Sequence, residues 1–220
     1  MAGEKAQKRG GGSSGGGSGV NKFLGNSETA GYLDDRYGIN NDERAKYLQE
    51  ALGLSEDESY KMAEAFEDFT GGDYREIRKA MYDENTSHSG YNKGQLLEEY
   101  ISMSPKYYNR GAIFRGIKLD DSDAIELVNT LSNGGMIDMR GPASWSSSFQ
   151  TAHNFASNPF GASIVFKLPN GTKAGASIRH LSEYFGEDEV LTSNRTRYSA
   201  SRIIQSSPLS WTIELVETVV

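Results

Sequence analysis

The sequence SIRHLSEYFGEDEVLT, residues 177–192, decides how we interpret the rest of the chain. It contains Glu187 and Glu189, which are separated by one residue, and Glu189 begins the β-prone run EVLT. In an extended strand, residues i and i+2 point to the same face, about 6.6 Å apart along the strand. Two neighbouring carboxylates repel each other unless a ligand or a cation uses them. The pair is therefore either a solvated acidic turn or part of a site.

Composition narrows the classes of function. The 220 residues are enough for one domain with a proper core. The formal net charge is −7, and because phosphate backbones repel an acidic chain we expect no nucleic-acid partner. The absence of cysteine excludes disulfides, thiolate metal sites and thiol nucleophiles. The three histidines of the chain are not spaced as metal ligands are, so we also expect no metal.

The chain divides by composition into a tether and a domain. Residues 1–19 carry a short basic cluster and then GGGSSGGGSG, which we expect to be a flexible tether. Residues 20–220 are predicted to form a single domain, helical over about 40–105 and β-rich over about 106–220. No apolar run reaches the ~20 residues that cross a bilayer, and we find no secretory signal. We therefore expect no membrane partner and action in the cytoplasm of its own host cell or of a target cell. We also expect a monomer.

Apolar residues at three-to-four spacing predict four helices between residues 40 and 103. The first three starts are marked by Asn40 or Asn41, by Ser55 with Glu58, and by Asp73 with Glu76. The residues of these stripes are expected to form core rather than a ligand pocket. The interpretation is a helical layer that covers one side of the β-rich part.

The β-rich part is predicted to hold seven strands, near residues 111–117, 143–147, 162–168, 175–178, 189–193, 198–205 and 211–218. A helix with Ile125, Val128 and Leu131 as its buried stripe should follow the first strand, capped by Ser122 or Asp121. A short helix is expected near residues 151–156. Because there is no βαβ rhythm, the pattern indicates an α+β domain with a mainly antiparallel sheet.

Arg115 lies inside the apolar run formed by residues 113–117. A guanidinium in a strand interior is costly unless it is paired, and its planar fork suits a phosphate or a carboxylate. Arg115 therefore either binds an anionic ligand or forms a structural ion pair. Gly116 beside it would let a ligand approach the backbone.

The stretch WSSSF, residues 145–149, places small hydroxyls beside aromatic rings. Ser146 and Ser148 share one face if this stretch is extended. Such a face suits a polar ring or a sugar, although an ordinary Ser-rich edge strand has the same pattern. A serine nucleophile is not predicted, because the Gly-x-Ser-x-Gly elbow and a histidine partner are missing.

The order of these features resembles that of the Arg-Ser-Glu class of mono-ADP-ribosyltransferases, which includes bacterial binary-toxin enzymes and phage-encoded modifiers. The resemblance covers roughly residues 40–220 and is strongest over residues 113–117, 146–156 and 164–192. Ser147 stands where the family motif has Thr, and Trp145 where it usually has a simpler apolar residue. The resemblance implies an α+β, ADP-ribosyltransferase-like fold, with a mainly antiparallel split β-sheet core and an N-terminal helical layer.

The resemblance also implies NAD as co-substrate, without a metal, and gives the matching residues roles in binding it. Arg115 would bind the pyrophosphate and the adjacent ribose, and the Gly116 backbone would hold the nicotinamide amide. Ser146 would bind the nicotinamide ribose and help to orient Glu189, and Ser148 would also belong to this subsite. Phe155, or alternatively Phe149 or Phe160, would pack against the nicotinamide ring.

The acidic loop carries the remaining implied roles. Glu189 would hold the ribose 2′-hydroxyl and stabilise the cationic sugar that forms as nicotinamide leaves, as a carboxylate does in glycoside hydrolysis. Glu187 would orient and deprotonate the acceptor, while Tyr184 and Phe185 would meet the target. A guanidinium binds carboxylates well, so protein arginine in a host or target cell is the preferred acceptor.

Three alternatives to this activity stay open. Water could be the main acceptor, which would make the protein an NAD glycohydrolase. The chain could also be an inactive binding module, tethered to a virion or a delivery apparatus. Modification of DNA or RNA is disfavoured by the acidic charge balance and by Glu187.

Overall fold

The computed structural model describes residues 39–139, 141–184 and 189–219. The described chain begins with four helices: α1 (Asn41–Leu52), α2 (Glu56–Thr70), α3 (Tyr74–Tyr82) and α4 (Ser89–Met103). Strands and two further helices follow: β1 (Ile113–Leu119), α5 (Asp121–Ser132), β2 (Met136–Asp138), β3 (Ala143–Ser146), α6 (Phe149–Ala156), β4 (Ala162–Leu168), β5 (Gly175–Ser177), β6 (Glu189–Thr192), β7 (Thr196–Ser207) and β8 (Ser210–Val219). None of the helices in these ranges is both long enough and apolar enough to cross a membrane.

Local side-chain chemistry sets the starts of the first helices. Asn40 caps α1 and Ser55 caps α2, each in a reciprocal capping box with the glutamate three residues later. The prediction for Asp73 was wrong in part. Asp73 is the N-cap of α3, but its side chain makes no cap hydrogen bond. Its backbone angles of −99° and 4° differ from the extended conformation typical of a capping residue.

The strands form one sheet in the order β2-β7-β8-β4-β1-β3-β6-β5. All neighbouring pairs are antiparallel except β4 and β8, which confirms the predicted α+β class with a mainly antiparallel sheet. β1 pairs with β4 along its whole length, whereas β1 and β3 share a single registered pair, Phe114 with Ser146. We call β2, β7, β8, β4 and β1 the larger half of the sheet, and β3, β6 and β5 the smaller half.

The two main hydrophobic cores lie on different parts of this sheet. One core joins α5 to strands of both halves and contains Ile113, Trp145 and Tyr198. The other packs α1, α2, α3 and α4 against the smaller half, where Ala176 and Leu191 are buried among helix side chains. The helical layer is therefore fixed directly on the strand that begins with Glu189.

Three details of the β-rich part were not predicted correctly: the N-cap of α5, its buried stripe and the short strand β2. α5 is preceded by Asp120 at its N-cap and buries Ala124, Leu127 and Leu131, whereas Ile125 is 48% exposed. The 3.6-residue period is compatible with a stripe through Ala124 or with an adjacent stripe through Ile125. Ile125 was preferred because its apolar side chain is larger, and that choice was wrong. β2 was missed because three residues are too few to show an alternating pattern.

Candidate active site

Arg115 is a buried cation in the middle of β1. Burial alternates along this strand, and Arg115 shares the inward face with Ile113 and Ile117. Its side chain is 7% exposed, and its Nη1 donates a hydrogen bond to the carbonyl oxygen of Ser144 at 2.5 Å. Burial lowers the pKa of Arg115 to about 10, while Tyr198 and Glu189 act in the opposite direction. The guanidinium therefore stays charged at neutral pH.

Glu189 is a buried carboxylate at the first position of β6. It is 7% exposed and lies opposite Ser146 in the pairing of β3 with β6. The hydroxyl of Ser144 donates a hydrogen bond to Glu189 Oε1. Burial raises the pKa of Glu189, and the hydrogen bond from Ser144, the neighbouring Ser182 hydroxyl and the charge of Arg115 oppose that rise. Partners on several sides thus favour the ionised form.

The structure brings Arg115, Ser146 and Glu189 together on three adjoining strands. Phe114, the residue before Arg115, pairs with Ser146, and Ser146 in turn pairs with Glu189. The charges of Arg115 and Glu189 are close enough that each shifts the pKa of the other. A cation and a carboxylate from distant stretches of the chain therefore share one buried environment. Such perturbed pairs are typical of functional sites.

Ser144, the residue just before the serine-rich stretch, contributes to this site, and the sequence analysis missed it. Ser144 accepts from Arg115 through its carbonyl and donates to Glu189 through its hydroxyl. Ser146 Oγ accepts from the Ser148 backbone N–H at 3.0 Å, and Ser148 Oγ caps α6 by accepting from Thr151 N–H at 3.2 Å. Ser144 precedes Ser146 by two residues, so strand alternation was a signal that could have found it.

The sequence itself matches no protein-family model and no curated protein. Its structure, however, is similar to solved ADP-ribosyltransferases. Vis from Vibrio splendidus, in complex with agmatine, is 19% identical over 82% of this chain and 87% of that chain, with a TM-score of 0.56. HopU1 from Pseudomonas syringae is 15% identical over 90% and 95%, with a TM-score of 0.61. The chain has the ADP-ribosyltransferase fold.

A third solved structure agrees with this fold. Exoenzyme S from Pseudomonas aeruginosa, bound to carba-NAD and to human 14-3-3 protein beta, is 18% identical over 90% of this chain and 88% of that chain, with a TM-score of 0.56. The predicted ADP-ribosyltransferase-like fold is therefore confirmed. The residue roles taken from the resemblance stay predictions, because sequence identities this low support a shared fold but not shared site residues.

Packing explains why residue 116 is a glycine in this fold. A Cβ built on Gly116 would lie 1.9 Å from the carbonyl oxygen of Ala152, so α6 packs directly on the backbone of β1. Close approach of two elements requires glycine at this position. The predicted role of its backbone in holding the nicotinamide amide is a separate property and stays a prediction.

The three aromatic candidates lie on and around α6 in different environments. Phe155 is half-buried on α6, and Phe149 packs edge-to-face on Phe114 with ring centroids 5.5 Å apart. Phe160, in the following turn, is 97% exposed. An aromatic ring this exposed is unusual and is available to contact a ligand or a partner.

The loop before Glu189 is described only in part. Tyr184 is half-buried, and its backbone N–H donates to Ser182 Oγ at 3.1 Å. The predictions for Phe185 and Glu187 lie outside the described residues. Within the described ranges, no group of three or more histidine or acidic side chains could hold a metal ion.

Proposed function

We propose that this protein transfers ADP-ribose from NAD to an arginine of an acceptor protein and releases nicotinamide. The observation that carries the proposal is the convergence of two buried, oppositely charged groups, Arg115 and Glu189, on Ser144. The first group suits the pyrophosphate of a dinucleotide and the second suits a cationic sugar. The transfer reaction needs these two groups close together.

Arg115 would hold the pyrophosphate. A guanidinium presents paired N–H donors that match phosphate oxygens, and a pKa of about 10 keeps it cationic at neutral pH. Ser146, opposite Glu189, would bind the nicotinamide ribose. The fold similarity to Exoenzyme S, which was solved with carba-NAD, supports a nicotinamide dinucleotide as the ligand.

Glu189 would stabilise the transition state of bond cleavage. When the bond between C1′ of the ribose and the nicotinamide nitrogen breaks, the electron pair leaves with nicotinamide and positive charge develops on the ribose. A carboxylate already fixed beside that charge stabilises the transition state more than the ground state. The hydrogen bonds and the neighbouring cation that favour its ionised form serve this role directly.

Arginine is the acceptor that the acidic pair suits best. Glu187 would orient the incoming guanidinium and take up its proton as the nitrogen bonds to C1′. Vis, a protein of the same fold, has been crystallised with agmatine, a small molecule with the guanidinium of arginine. We propose a protein of a host or target cell as the natural acceptor, without a metal in the reaction.

The test separates transfer from NAD hydrolysis. The protein is incubated with labelled NAD and either agmatine or lysates of bacterial and eukaryotic cells, and modified residues are mapped by mass spectrometry. We expect label on arginine. In Glu187→Gln, transfer should fall by about 100-fold or more while nicotinamide release persists, which is the range for loss of a general base. Asp188→Asn, which changes the neighbouring acid, is the matched control.

Each other outcome favours a specific alternative. Nicotinamide release without any labelled acceptor would make the protein an NAD glycohydrolase. Equal loss of transfer and hydrolysis in Glu187→Gln would contradict the proposed division between Glu187 and Glu189. A wild-type protein that fails to bind NAD in calorimetry would be an inactive binding module.

A further inference from the structure

We propose that Ser144 is a positioning residue that holds Arg115 and Glu189 in one fixed arrangement, and that its hydroxyl keeps the Glu189 carboxylate aimed and ionised. The inference rests on the proposed transfer from NAD and extends it to a residue outside those that the resemblance implicates. Ser144 lies on β3, between the strand of Arg115 and the strand of Glu189. From there it contacts both groups.

The two hydrogen bonds of Ser144 use different parts of the residue. Its main-chain carbonyl accepts from Arg115 Nη1 at 2.5 Å, and its side-chain hydroxyl donates to Glu189 Oε1. Ser144 is itself fixed by the ladder between β3 and β6, where it pairs with Leu191. A substitution of the side chain therefore removes the contact with Glu189 and leaves the carbonyl that holds Arg115.

A second hydroxyl approaches Glu189 from the loop side. Ser182 is fully buried, and its hydroxyl lowers the pKa of the Glu189 carboxylate, as the hydroxyl of Ser144 does. The main chain on both sides of Ser182 is anchored to the helical layer. Arg44 Nε donates to the carbonyl of Leu181 at 2.8 Å, and Glu183 N–H donates to Thr70 Oγ1 at 3.2 Å. Glu189 is thus held between β3 and a loop that α1 and α2 secure.

The electrostatic need for these donors follows from burial. Burial alone raises the pKa of Glu189 and favours a neutral carboxyl, which could not stabilise a cationic sugar. Among the described groups that face it, Arg115 on β1, Ser144 on β3 and Ser182 in the loop all lower that pKa. Loss of the Ser144 hydroxyl should therefore raise the pKa of Glu189 further. On acidification, Glu189 would then lose its charge at a higher pH than in the wild type.

The experiment compares Ser144→Ala with Ser144→Thr, which keeps a hydroxyl. Ser163→Ala is the matched control, since Ser163 is a half-buried strand serine on β4. The readouts are kcat and KM for nicotinamide release from NAD, measured from acidic to alkaline pH. We expect Ser144→Ala to lower kcat by about 10- to 100-fold, the range for losing a hydrogen bond to a charged group. KM should change little, and the acidic limb should move to higher pH.

Ser144→Thr should recover most of kcat and return the acidic limb toward its wild-type position, while Ser163→Ala should match wild type. A merely structural role would lower activity without moving the acidic limb, and Ala and Thr would then behave alike. Either that result or an unchanged kcat in Ser144→Ala would overturn the inference.

A direct titration keeps this inference separate from the proposed function. The side-chain carboxyl carbon of Glu189 is followed by NMR in protein with 13C-labelled glutamate, and Glu189→Gln assigns its signal. If the wild-type protein released no nicotinamide, the proposed function would fail. A higher pKa for Glu189 in Ser144→Ala than in wild type would still sustain the role of Ser144, and an unchanged pKa would refute it.

Discussion

The two halves of the sheet bring opposite charges to one place, and burial affects them unequally. The larger half contributes Arg115 and the smaller half Glu189, and both side chains are 7% exposed. Burial favours the neutral form of each, so it lowers the pKa of Arg115 and raises that of Glu189. Arg115 still has a pKa of about 10, far above neutral pH. Glu189 moves toward neutrality, and its charge depends on its neighbours.

The hydrogen-bond partners of Arg115 and Glu189 also differ. Arg115 donates a hydrogen bond to the backbone carbonyl of residue 144, which any residue at that position would supply. Glu189 instead interacts with two serine hydroxyls, one on β3 and one in the loop that the helical layer anchors. The contact of Arg115 with residue 144 therefore does not depend on the side chain there, whereas the contact of Glu189 does.

The largest expected effect comes from removing the carboxylate. Glu189→Gln keeps the shape of the side chain but removes its charge, so kcat for nicotinamide release should fall by about 100- to 1,000-fold, as when one preorganised group is deleted from an active site. The measurement is steady-state release of nicotinamide, with and without agmatine as acceptor.

Glu98→Gln is the matched control for this change. Glu98 is a half-buried carboxylate on α4 that accepts hydrogen bonds from the Ser193 hydroxyl and the Asn194 N–H, one on each oxygen. In Glu98→Gln the amide oxygen can still accept from Asn194, and the Ser193 hydroxyl can turn to accept from the amide NH2. Its activity should stay close to that of the wild type. If both variants lost activity equally, loss of any buried carboxylate would explain the result, and Glu189 would have no special role.

The corresponding change in the larger half should act on binding. Arg115→Lys keeps a positive charge but loses the planar fork, so KM for NAD should rise by about 10- to 100-fold while kcat changes far less. Arg202→Lys, on an exposed part of β7, is the control and should leave both parameters unaltered. A fall in kcat without a rise in KM would show that the two halves do not divide binding from chemistry in this way.

How far the sequence predicted this arrangement depends on the range of the interactions involved. The boxes at Asn40 and Ser55 involve residues three apart, so they could be recognised directly. Arg115 was found because it contradicts its apolar surroundings, Glu189 because it forms a pair with Glu187, and both because their order matched a known motif. The fold is confirmed, and the roles of these two residues stay predictions.

Strand alternation makes Ser144 a candidate beside Ser146, but it cannot choose between the two, because the choice depends on register. Ser144 and Ser146 share a face of β3, and only the offset between β3 and β6 decides which hydroxyl meets the Glu189 carboxylate. Tertiary packing likewise decided which stripe of α5 is buried, and so left Ile125 exposed. Sequence pattern gives the faces of each element, and long-range packing chooses between neighbouring possibilities.

The smallest expected effect concerns how α6 holds the two halves together. α6 follows β3 of the smaller half and packs on β1 of the larger half, where a Cβ at Gly116 would lie 1.9 Å from the Ala152 carbonyl oxygen. Gly116→Ala should therefore force α6 away and lower the free energy of unfolding by about 1–3 kcal/mol, as in other overpacked cores. At Gly72 a Cβ would meet nothing within 4 Å, so Gly72→Ala should change stability by less than about 0.5 kcal/mol. Urea unfolding of both variants measures the difference, and equal stabilities would show that β1 and β3 keep their places without close packing of α6.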